Sequence, residues 1–232
     1  MYVHGPNYEQ NFPYFGSNFW EDWERPIHFE IREPDGSGYA ANAGVKIFGG
    51  WSRAFPQKSL SIFARSHLGP SSFDYPLFPG AGINEYEAFV LRNSGNDWES
   101  TMMRDGFITS VADHLNIDHQ RYRPALLFLN GEFWGIQNIR EKVNEHFIAS
   151  NHSIESEHID LLDIQGVNDE NIVHGTNADY QILLNYLDTQ DINDPIVENA
   201  LENWIDIESY MSYQAFQIFV DNRDWPGNNC LL

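Results

Sequence analysis

The sequence predicts an α+β fold, sheet-rich over residues 1–150 and helical over 151–232. Apolar and polar residues alternate with period two in several short runs of the first part, the mark of strands with one buried face. From residue 178 onward the apolar spacing changes to three and four, the mark of helices. With 42% hydrophobic and 15% aromatic residues, the chain has enough apolar surface to offset the entropy of ordering.

In order along the chain, residues 1–26 show no period and read as a packed aromatic loop. His28 to Arg32 alternates around Phe29 and Ile31 as a strand, and Asp35-Gly36-Ser37-Gly38 is a turn. Val45 to Phe48 and Leu60 to Phe63 are two further strands, joined by Gly49 to Gln57. Residues 66–86 form a Gly- and Pro-rich excursion before a strand at Ala88 to Leu91. Met103, Phe107, Val111 and Leu115 recur every fourth position and predict an amphipathic helix over Met102 to Leu115. Asn130-Gly131 between Ala125–Leu129 and Phe133–Ile139 predicts a hairpin, because Asn-Gly accepts the positive φ angles of a tight turn. Helices follow at Lys142–Ser150, Tyr180–Leu187, Ile196–Trp204 and Ile207–Val220, the last apolar enough to be central and buried. Asp163 to Thr176 reads as a loop.

The formal charge of −21 argues against a nucleic-acid partner, since so acidic a body repels phosphate backbones. A bound nucleotide would need a cation and a few placed Lys or Arg residues. The single Cys230 excludes an internal disulfide and a cysteine-rich metal site. No stretch reaches the length of a membrane span, and no signal peptide is visible. Both ends read as interior pieces of a longer chain.

Asp221-Asn222-Arg223-Asp224-Trp225-Pro226-Gly227-Asn228-Asn229 gathers hard oxygen donors, suited to Mg²⁺, in a loop after the apolar helix. Asp224 and Asn229 are five positions apart, as are the base-like Asp and metal-holding Asn of protein kinase catalytic loops. The same residue types also build turns that cap their own backbone. Lys58 opens a strand, with 58, 60 and 62 on one face, so its ammonium would sit beside the apolar walls of Leu60 and Ile62, as an ATP cleft requires; a solvent-reaching strand-end lysine has the same pattern. Arg53 follows Gly49-Gly50, a turn that lets backbone approach a phosphate but lacks the ending of a P-loop. Glu141, where a strand enters a helix, suits either a lysine-holding glutamate or a dipole-favoured helix acid. Leu91 to Trp98 is a polar knot that either caps the next helix or lines a cleft. The nine His residues have no metal-ligand spacing.

Four segments taken together resemble the CotH kinase family, named for a bacterial spore-coat protein. They are VKIFGGWSRAFPQKSLSIFAR (45–65), AFVLRNSGNDW (88–98), RPALLFLNGEFWGIQNIREKVNEHF (123–147) and DNRDWPGNN (221–229). The resemblance implies one divergent protein-kinase-like domain, cut short at its C-terminal side, that binds ATP with Mg²⁺ or Mn²⁺ and phosphorylates Ser or Thr hydroxyls of protein substrates. It implies Lys58 as the phosphate-binding lysine with Arg53 beside it, Glu141 as that lysine's partner, Asp224 as the catalytic aspartate, and Asn229 or Asn228 as the metal-side asparagine. A second metal-binding acid is expected downstream of Leu232, so the fragment itself is expected to be inactive. The aromatic opening resembles the secreted, multi-domain branch and points to a cell-surface or extracellular location. Two other readings stand beside the kinase: a non-catalytic surface or assembly module, and a carbohydrate hydrolase resting on the abundant carboxylates.

Overall fold

The computed structural model describes residues 3–166, 169–225 and 230–231. The chain divides into two compact units, one of Met1–Ser110 and Gln120–Lys142, the other of Val111–His119 and Val143–Leu232. The first unit ends at Lys142, and the short segment 111–119 belongs to the second unit.

In the first unit, β1 (Arg25–Arg32), β2 (Gly38–Phe48) and β3 (Ser59–Phe63) precede the excursion, which contains the two-residue strands β4 (Phe73–Asp74) and β5 (Glu85–Tyr86). Next come β6 (Ala88–Arg92), α1 (Arg104–Val111), β7 (Tyr122–Leu129) and β8 (Glu132–Glu141). Six of these strands form one antiparallel sheet in the order β1-β2-β3-β6-β8-β7. Its hairpins close where the turn chemistry predicts. Asp35 accepts both the N–H and the hydroxyl of Ser37, and Asn130 and Gly131 take φ of 51° and 84°.

The register aligns Val45 with Ile62, Ile62 with Phe89, and Phe89 with Glu141 across four strands. Partners opposite one another share a face, so Ile62 and Phe89 enter the core with Ala43 and Ile139. The excursion closes that core with Phe73, Leu77, Phe78 and Tyr86. Phe29, Phe73 and Phe89 pack edge-to-face at 5.2–5.7 Å. A polar clasp ties the excursion to the sheet. Arg123 pairs with Glu33 and donates to the Leu77 carbonyl, while the Tyr75 hydroxyl donates to the same Glu33. The Arg123 bond, then that of Tyr75, hold the Glu33 carboxyl below its usual range. The face carrying Leu60 and Ile62 is thus the covered core of the unit and not the open apolar wall expected beside Lys58.

The helix expected over 102–115 is shorter, α1 being continued only by a 3-10 turn at Ala112–His114. Its apolar stripe is not the buried face: Met103 and Phe107 are 64% and 65% exposed. A Cβ on Gly106 would lie 2.4 Å from the Tyr122 ring, so close approach at this glycine decides which side faces the sheet. Asp105 fixes the helix from that side, accepting from both Arg92 and Arg140. The polar knot of 91–98 caps α1: buried Asp97 accepts the backbone N–H groups of Thr101, Met103 and Arg104 and the Thr101 hydroxyl.

The second unit holds α2 (Glu145–His152), β9 (Leu161–Gly166), β10 (Asp169–His174), α3 (Ala178–Thr189), α4 (Pro195–Leu201), α5 (Ile207–Phe219) and β11 (Cys230–Leu231). Asn144, Asp194 and Asp206 cap α2, α4 and α5 through their side chains. The segment read as a loop at 163–176 is a hairpin arm instead, and its sheet runs β10-β9-β11. α5 is apolar as expected but not central. Phe216 is the one buried residue of α5, while Met211, Ile218 and Phe219 are exposed. No helix among the described residues is long and apolar enough to cross a membrane.

Burial pushes the Asp97 carboxyl up, but the Thr101 hydroxyl and the Arg104 and Thr101 N–H groups outweigh it and hold the group at about 2. A folded-state value below the ordinary 3.8 gives stability that is full above that value and lost as pH falls through about 2. Asp97→Asn should therefore cost about 2 kcal/mol at pH 7. The gap between variant and wild type should close as the pH drops from about 4 to about 2, as read by urea unfolding. A gap independent of pH would contradict the capping role.

Candidate functional site

The sheet's second face is polar where the first is apolar. Lys46 lies opposite Ser61 across β2 and β3, one position out of phase with Val45 and Ile62. Lys46, Phe48, Ser61 and Phe63, with the Gly49-Gly50 turn, Arg53, Asp22 and Lys142, line an open cleft of about 390 Å³ within the first unit. Gly49 needs its positive φ of 104°, and a Cβ there would strike the Ser52 hydroxyl at 2.4 Å. At Gly50 the space beyond the backbone is open.

The chain has three lysines in 232 residues, Lys46, Lys58 and Lys142. Two line the cleft, and the third touches a residue that does. The Lys58 amine donates to the Arg53 carbonyl at 2.6 Å and stands 4.0 Å over the buried Phe19 ring. Arg53 in turn donates from Nε to the Gly49 carbonyl at 2.5 Å, with its guanidinium 6.0 Å from the Trp20 ring. The aromatic opening segment is thus a packed wall for the two cations. Lys58 stands one residue before β3, on a backbone pinned by buried amides. Gln137 donates to the Lys58 carbonyl, Asn93 donates to the Gln57 carbonyl, and the Ser59 hydroxyl donates to Asn93. Burial lowers the Lys58 amine from its ordinary 10.5 to about 8.

Glu141 does not hold Lys58. It is the last residue of β8 rather than a helix residue, it is buried, and it accepts from the Arg121 guanidinium at 2.6 Å and the Arg121 N–H at 2.8 Å. The register sets Glu141 level with Ile62, four positions from Lys58, or roughly 13 Å along the strand direction. Asp224 belongs to the second unit, exposed in the turn that follows α5, where its N–H donates to the Asn222 side chain. Asp221 takes a φ of 51° and pairs with Arg223. Asn228 and Asn229 lie outside the described residues. Asp221, Asn222 and Asp224 each carry a hard side-chain oxygen, the ligand type that Mg²⁺ prefers. Among the described residues no three His, Cys, Asp or Glu side chains are grouped to hold a metal.

Sequence reasoning singled out Arg53 and Lys58 but passed over Lys46, Lys142 and Asp22. Two features point to them: the scarcity of lysine in the chain, and the odd–even offset of Lys46 from Val45. Lys46 pairs with Asp22 at 3.0 Å, and the Lys142 ammonium lies 5.5 Å from the Phe48 ring.

A family described as CotH kinase protein matches residues 45–232, about four-fifths of the chain. No curated protein matches it.

Lys58 also gives the first unit a pH signature. Its folded value of about 8 lies below the ordinary 10.5, so between these pH values the unfolded chain binds more protons at this site. The stability of wild type relative to Lys58→Met should therefore rise from pH 8 to pH 10.5, as read by urea unfolding of both proteins. A constant difference across that window would contradict the burial of the amine.

Proposed function

The chain belongs to the CotH kinase family, and on that premise we propose that it transfers phosphate from ATP to protein hydroxyls. The observation that carries the reading is the pair of cations at the glycine turn, Lys58 bonded to Arg53 and Arg53 to Gly49, in a chain otherwise charged to repel a nucleotide. In this reading Lys58 and Arg53 neutralise phosphate oxygens that approach the open backbone at Gly50. Glu141 has no part in placing the lysine. That role falls to the Arg53 carbonyl and to Gln137, which fix the amine and its backbone. Asp224 accepts the proton of the attacking Ser or Thr hydroxyl. Asn228 or Asn229 would hold Mg²⁺ or Mn²⁺, which supplies charge neutralisation between the phosphates. We further propose substrates among coat or extracellular proteins, in keeping with a body of charge −21.

A second reading, a non-catalytic assembly module, is favoured by the exposed apolar ladder of Leu126, Phe128, Phe133 and Ile136 on the β7–β8 hairpin.

A phosphate brought against the Lys58 amine stabilises its charged form, so binding near pH 8.5 should draw a proton onto it. Calorimetry of ATP with Mg²⁺ in two buffers of different ionisation enthalpy should show proton uptake in wild type and none in Lys58→Met. In a chain extended past Leu232, Asp224→Asn should keep the binding and lower phosphoryl transfer about 10²–10⁴-fold. ATP binding without proton uptake would remove Lys58 from the site, and no ATP binding at all would favour the assembly module.

A further inference from the structure

We propose that Lys46 and Lys142 grip the phosphate chain of the bound nucleotide, and that Asp22 is the counter-ion Lys46 releases when it arrives. This rests on the ATP reading above and adds to it three residues of the same cleft. The argument begins with supply. A chain of charge −21 has only three lysines, and two of them converge on one cleft from strands distant in sequence. Lys46 reaches the cleft because it stands opposite Ser61, on the face away from the core. Lys142 reaches it from just beyond β8, its ammonium over the Phe48 ring of the same lining. Arg53 and the open Gly50 backbone complete the wall. An anion entering here meets three cations and an open glycine turn, a setting that suits a di- or triphosphate better than a single carboxylate.

Asp22 explains how the cleft stays intact without a ligand. Its carboxylate pairs with Lys46 at 3.0 Å, yet its side chain is 77% exposed while that of Lys46 is 28% exposed. Exposed ion pairs are weak, so the aspartate returns to water at small cost when a phosphate of higher charge competes for the lysine. Until then it lowers the anion affinity of the cleft.

The test uses the full chain, with ATP and with inorganic tripolyphosphate as probes, in calorimetric titrations at low and moderate salt. Lys46→Met and Lys142→Met should each weaken both probes about tenfold and leave the melting temperature near that of wild type. Asp22→Asn should tighten both several-fold, an effect that disappears in the Lys46→Met background; a general change in net charge would persist there. Glu132→Gln, an exposed acid at the hairpin turn, should change nothing. Wild-type ATP binding that is indifferent to Lys46 and Lys142 would overturn this inference and leave the kinase reading standing. Binding of tripolyphosphate without ATP would keep the anion cleft and sink the nucleotide. Binding of neither probe would overturn both.

Discussion

The antiparallel register through β2, β3, β6 and β8 governs both the stability of the first unit and its chemistry. Because side chains alternate strictly, Val45, Ile62 and Phe89 share one face, while Lys46, Ser61, Val90 and Arg140 share the other. A slip of one residue would turn Lys46 into the aromatic core and expose Ile62, so the hydrophobic set fixes the register strongly. The cleft is therefore a by-product of core packing. Its lysine points outward because its neighbours are needed inside.

Buried polar side chains hold the backbone at the start of β3. Ser59, Asn93 and Gln137 are buried there; Gln137 donates to the Lys58 carbonyl, Asn93 to the Gln57 carbonyl, and the Ser59 hydroxyl to Asn93. The bonded members of this cluster leave the backbone at the start of β3 few alternative arrangements. Arg140 is almost wholly buried, and Asp105 compensates it while also accepting from Arg92. Removing Asp105 would leave a buried charge unpaired, the expensive way to break such a pair. Stiffness of this kind would suit the proposed ATP contact of Lys58, whose half-buried amine would meet a phosphate without reorganising.

Much of the sheet was legible because its cues are local. Asn130-Gly131 and Asp35 to Gly38 specify their turns by φ preference and side-chain bonding, and the strands beside them alternate cleanly. The failures have physical causes. β9 and β10 were missed because the stretch from Asp163 to Asn171 is mostly acidic and amide residues, with little alternation to read. The stripe on α1 pointed the wrong way because one glycine, Gly106, sets the approach to Tyr122 and overrides the apolar moment. Glu141 looked like a helix-borne glutamate by its place in sequence, but only the register of β8 reveals that Arg121 holds it. Lys46 and Lys142 went unnoticed because the cleft draws on four separated segments. Membership of the CotH kinase family was readable from short motifs, since those motifs are contiguous.

The central claim is that phosphate meets this chain at the glycine turn between β2 and β3. Amide hydrogen exchange with and without ATP and Mg²⁺ tests it most directly, since it reads backbone N–H groups one by one. The account predicts slowed exchange over Gly49 to Arg53 and at the start of β3, with the excursion of residues 66–86 unchanged. Protection confined to the β7–β8 hairpin, with the glycine turn unaffected, would contradict it.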